Sequence, residues 1–137
     1  MNPHTHFDVD AAMAALRRTM ARTTAQGLAL PLTDENRTLL LAQARLDEAA
    51  LMVHRWMLEM HNEHVPLVIR EQALGTMLGN LLGTFATNAP GDARPKDVVT
   101  DTVVHALTTA RHHLGDPMPV DVIDGSAVFE PVRGGTA

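Results

Sequence analysis

Apolar residues along this chain recur mostly at three- and four-residue steps, the period of helices that bury one face. Val9, Ala12, Met13, Leu16 and Met20 form the first such stripe. The spacing predicts a helix from about Asp10 to Gln26, capped by Asp8 or Asp10 and stopped by Gly27 in a left-handed conformation. A broken link, "GLALPL", follows. Thr33 then caps a long second helix, with Asp34 and Glu35 in its first turn, where the helix dipole favours negative charge. Its main face is Leu39, Ala42, Leu46, Ala49, Ala50, Val53, Met57 and Met60, and it is expected to run to His61–Glu63, because the residue before Pro66 resists helical geometry.

Pro66 suits the first turn of a third helix ending near Asn88. "NAPGDARP" reads as a loop. A fourth helix is expected from about Lys96 to Leu114, stopped by Gly115 and Pro117. Beyond it the pattern changes. Val122-Ile123 and Val128-Phe129 flank Asp124-Gly125, a pair suited to a tight hairpin turn, with an ordered tail over the helices as the alternative. The expectation is an all-α protein. Residues 1–115 form a bundle of about four helices, and residues 116–137 form a short extended or hairpin tail.

Two helix faces carry further information. On the third helix Gly75, Gly79 and Gly83 recur every four residues beside a strip of Leu67, Leu74, Leu78, Leu81 and Phe85. A glycine inside a helix costs about 1 kcal/mol relative to alanine, so three in register call for close approach by another helix, within the chain or from a second subunit. The second helix is apolar almost all round, with a further strip of Leu40, Leu51 and Leu58. Four helices leave such surface uncovered, so the strip and the glycines are the candidate contact surfaces of a homodimer, formed through a two-fold interface. Eight methionines would make that surface adaptable.

The stretch "HRWMLEMHNEH" places His54, His61 and His64 along a seam between two apolar strips. Imidazoles at steps of seven and three suggest a divalent-metal site, yet His54 lies two turns, about 10 Å, from His61. Neither H-E-x-x-H nor the paired E-x-x-H of carboxylate-bridged di-iron bundles occurs. Seam histidines with satisfied hydrogen bonds are the competing reading. On the fourth helix Asp97, Asp101, His105, Thr108 and His112 share a stripe opposite an apolar face, and are expected to be its solvated side.

Composition narrows the function. The chain has 137 residues, 3% aromatic content, no cysteine and a formal net charge of −5. Few aromatics and a negative balance argue against nucleic-acid binding. The absence of cysteine removes disulfides, thiolate metal sites and cysteine nucleophiles. Gln72 to Gly91 carries no charge, but Asn80, Asn88, Thr76, Thr84, Thr87 and Pro90 interrupt it short of a membrane span. No secretory signal is visible, which makes the cytoplasm the expected location. No phosphate loop and no G-x-S-x-G elbow appear, so no catalytic residues are assigned. The expectation is a non-enzymatic protein, acting through self-association and a protein partner and needing no cofactor. The alternative is a metal- or small-ligand-binding bundle using the histidine seam. The ligand-sensing half of a regulator is a third reading that only the helical content suits.

Overall fold

A computed structural model describes residues 5–115. Those residues are all-helical, with five helices and no strand: α1 (Val9–Leu28), α2 (Asp34–Arg45), α3 (Asp47–Asn62), α4 (Leu67–Thr87) and α5 (Pro95–His113). The expected hairpin or tail at 116–137 lies outside the described residues.

Local chemistry sets most helix ends. The Asp8 carboxylate accepts from the Ala11 amide at 3.0 Å, and the Thr33 hydroxyl accepts from the Asn36 amide at 3.1 Å. Each satisfies one of the orphan donors of a first turn. At the start of α4 the Pro66 carbonyl accepts from Ile69 and Arg70, while proline's missing N–H costs nothing there. Gly91 and Gly115 take positive φ, 71° and 73°, in the loop before α5 and just past its end.

Two expectations need correction. The long second helix is two helices. Leu46 bonds to the carbonyl of Gln43, three residues back, in place of the four-residue bond, and this tighter turn separates α2 from α3. Gly27 is not a left-handed stop. It lies inside α1, which runs on to Leu28 and is capped by Ala29 in right-handed geometry. What the glycine provides is room: a Cβ there would stand 2.7 Å from the Cδ2 atom of Leu40.

The chain divides into two units, Met1–Gln72 and Ala73–Ala137. In the first, α1 packs against α3 and α2, and α2 touches α3. Its centre is Met13 from α1 and Leu51 from α3, at 5% and 4% exposure. In the second, Ala86 of α4 is buried at 4% exposure. A groove of about 440 Å³ runs between Gly83–Thr87 and Pro95–Thr100 there.

Candidate functional site

The histidine seam begins where α3 ends. Glu63 caps the helix, His64 follows with φ 58°, and the Val65 amide reaches back to the Met60 carbonyl at 3.0 Å. Together with the His64 amide on the His61 carbonyl, this is the pair of crossed bonds that closes a helix through one left-handed residue. His64 therefore leaves the helical face on which sequence spacing put it. Glycine usually occupies such a position, and histidine is among the few other residues that enter it with some frequency.

His61 stays on α3 and turns toward the N-terminal segment. Its Nε2 donates to the Thr5 carbonyl at 2.8 Å, and its ring centroid lies 4.9 Å from that of Phe7 at an interplanar angle of 59°. A proton on Nε2 leaves only Nδ1 with a lone pair. Beside it Asn62 grips the same segment: Phe7 N–H donates to Asn62 Oδ1 at 2.8 Å, and Asn62 Nδ2 donates to the Phe7 carbonyl at 2.9 Å. His54, two turns earlier and half-buried, takes no part in this cluster. The three histidines are thus one anchor, one helix terminator and one half-buried face residue. Among the described residues no group of three histidine, aspartate or glutamate side chains gathers closely enough to hold a metal ion.

Charged residues on α3 tie it to α1. Arg55 reaches Asp10 at 2.9 Å and Glu59 at 3.6 Å, and Arg17 reaches Glu48 at 3.2 Å. The hydrogen bond to Asp10, partly opposed by desolvation, raises the Arg55 pKa above its ordinary value. These pairs are solvated, so their worth is orientation and not binding energy.

The candidate contact strips separate into two kinds. Leu51 is core, Leu40 lies over Gly27, and Leu58 is half-buried, so this strip is largely taken up within the first unit. On α4 the reverse holds. A Cβ added at Gly75, Gly79 or Gly83 would meet no described atom within 4 Å. Leu78, Leu81 and Phe85 are 48%, 58% and 59% exposed, and Leu74 is half-buried. On α5 Asp97, Asp101, His105, Thr108 and His112 are all exposed, as a solvated stripe should be. No described helix is long and apolar enough to cross a membrane.

Sequence reasoning missed Asn62 and Phe7. Their contact spans 55 residues, and neither residue type nor local spacing announces it. Comparisons with known protein families, curated proteins and solved structures return no match for this chain.

Proposed function

We propose that this is a non-enzymatic helical protein that acts by self-association, as a homodimer, and through contact with a further protein. One observation carries the reading: Leu78, Leu81 and Phe85 of α4 stand about half in water, on a helix where a Cβ added at Gly75, Gly79 or Gly83 would meet no described atom within 4 Å. Single exposed apolar residues are ordinary, whereas a contiguous row along one helix marks a surface that meets something. At about 25 cal/mol per Å² of apolar area, covering such a row gives an association its driving force.

Native mass spectrometry of untagged protein, purified without chelator, tests the reading. A metal-free dimer that grows with concentration is the expected result. A species that is monomeric at every concentration, or one that carries a stoichiometric metal, would overturn it.

A further inference from the structure

We propose that the groove between α4 and α5 is a binding site for a small monocarboxylic acid with an apolar body, held at its rim by Lys96 and Thr100. The proposal does not rest on the self-association reading.

The groove has the dimensions of a small-molecule site. Its volume of about 440 Å³ falls in the lower part of the roughly 300–1,000 Å³ that such sites occupy. A stable protein interface wants about 800 Å² from each partner, more than a groove of this size offers. One wall is Gly83 and Ala86 of α4, about one turn apart, and the other is Pro95 and Val99 of α5. Ala86 is buried at 4% exposure, and a Cβ at Gly83 would meet no described atom within 4 Å. Small side chains thus leave the space open, and an apolar body gains by replacing water there.

Two unspent polar groups border this space. Lys96 and Thr100 stand four residues apart, on one side of α5. Lys96 is the only lysine in the chain. Among the described residues it makes no ion pair and no hydrogen bond, and the neighbouring Asp97 is taken by Arg94 at 3.0 Å. Thr100 is half-buried. The other threonines of α5, Thr102, Thr108 and Thr109, each donate to the carbonyl four residues earlier, at 2.8, 2.8 and 3.0 Å. Thr100 makes no such bond among the described residues. Across the groove the Thr87 hydroxyl is already spent on the Gly83 carbonyl at 2.8 Å. An ammonium and a hydroxyl one turn apart can both donate to one carboxylate.

Charge selects the ligand's head group. A neutral apolar molecule would leave the ammonium without an anion. A dianion such as a phosphate monoester would bring more charge than one lysine matches, beside the exposed Asp97 and Asp101 of the same helix and in a chain of net charge −5. A single carboxylate fits both limits.

Amide NMR titration of the full chain tests the proposal, with 2-naphthoate as the acid and 2-naphthamide as its neutral twin. At the efficiency of ordinary ligands, molecules of this size bind with dissociation constants on the order of 1 mM. Naphthoate should bind saturably, with its largest shifts at Gly83, Ala86, Val99 and Thr100, and naphthamide about three- to five-fold more weakly, the worth of a solvated ion pair. Lys96→Gln should bring naphthoate down to the affinity of naphthamide and leave naphthamide unchanged, whereas Lys96→Arg should keep the preference. Thr100→Val should weaken both, since an amide oxygen accepts as a carboxylate does. Gly83→Leu, which fills the wall, should abolish both. Equal affinity of the two probes for wild type, or a preference that survives Lys96→Gln, overturns the proposal. So do a failure to saturate, shifts centred away from the groove, and groove signals that move only with protein concentration, which would assign the groove to a second copy.

Discussion

The Asn62 side chain brackets the backbone of Phe7, accepting from its N–H at 2.8 Å and donating to its carbonyl at 2.9 Å. A carboxamide offers a donor and an acceptor side by side, as a neighbouring strand would, and so it pairs with an extended residue at both ends. Removing it in Asn62→Ala should release the segment before α1 and cost about 1 kcal/mol in denaturant unfolding, the low end for two bonds because both are exposed. Asn62→Asp is the sharper variant. It keeps an acceptor for the Phe7 amide but turns an oxygen toward the Phe7 carbonyl, so it should be no better than alanine. Hydrogen exchange at the Phe7 amide reads the effect directly. Unchanged protection in Asn62→Ala would show that the bracket does not hold the segment.

Much of the fold was visible locally, because helix starts and stops are decided by nearby atoms. Asp8, Thr33, Pro66 and Gly115 each act within four residues of themselves, and each marks an end close to the expected place. What the sequence hid depends on distant partners or on absent signals. No glycine or proline marks the break at Leu46; one three-residue hydrogen bond makes it. Gly27 looked like a stop because glycine tolerates positive φ, whereas its use here is the space that Leu40 fills from another helix. The histidine seam was legible as a helical face, but that reading assumed a helix persisting to His64. The terminator at Glu63–Val65 removes His64 from the face, and the contacts of His61 lie 54 to 56 residues away, at Phe7 and Thr5.

His64 is strained in the place it holds. Left-handed geometry costs a residue with a Cβ about 1–2 kcal/mol, and glycine pays none of it. Glycine also loses more backbone entropy on folding, about 0.5–1 kcal/mol. On these backbone terms alone His64→Gly should gain about 0.5–1 kcal/mol, less whatever the His64 side chain's own interactions contribute, read as the shift of the denaturation midpoint at unchanged slope. His64→Val, β-branched and poorly tolerated at positive φ, should do the opposite. A loss of stability in the glycine variant would mean that the imidazole contributes more than its backbone strain.

Gly79 gives the monomer a different test. Nothing described lies within 4 Å of a Cβ at that position, so Gly79→Ala should gain the helix propensity of alanine, about 1 kcal/mol, without a clash. If the exposed row Leu78, Leu81 and Phe85 is the contact, the variant should also keep its wild-type dissociation constant, since Gly79 lies off that row. Loss of association in Gly79→Ala, measured by sedimentation, would instead put the glycine strip against the partner.

Leu51 and Leu81 read as equivalent apolar helix positions in the sequence, and the structure separates them. Leu51 is 4% exposed beside Met13, whereas Leu81 is 58% exposed on α4. Truncating the first leaves a cavity in a small core, so Leu51→Ala should cost about 2–4 kcal/mol of unfolding free energy. Truncating the second removes side-chain atoms already in water, so Leu81→Ala should change the unfolding free energy of dilute monomer by less than about 0.5 kcal/mol. Association should respond in the reverse order, weakening in Leu81→Ala and holding in whatever fraction of Leu51→Ala stays folded. Denaturant melts and sedimentation on the two variants separate core from contact. Equal melts for both would mean that the first unit does not draw its stability from the α1–α3 packing.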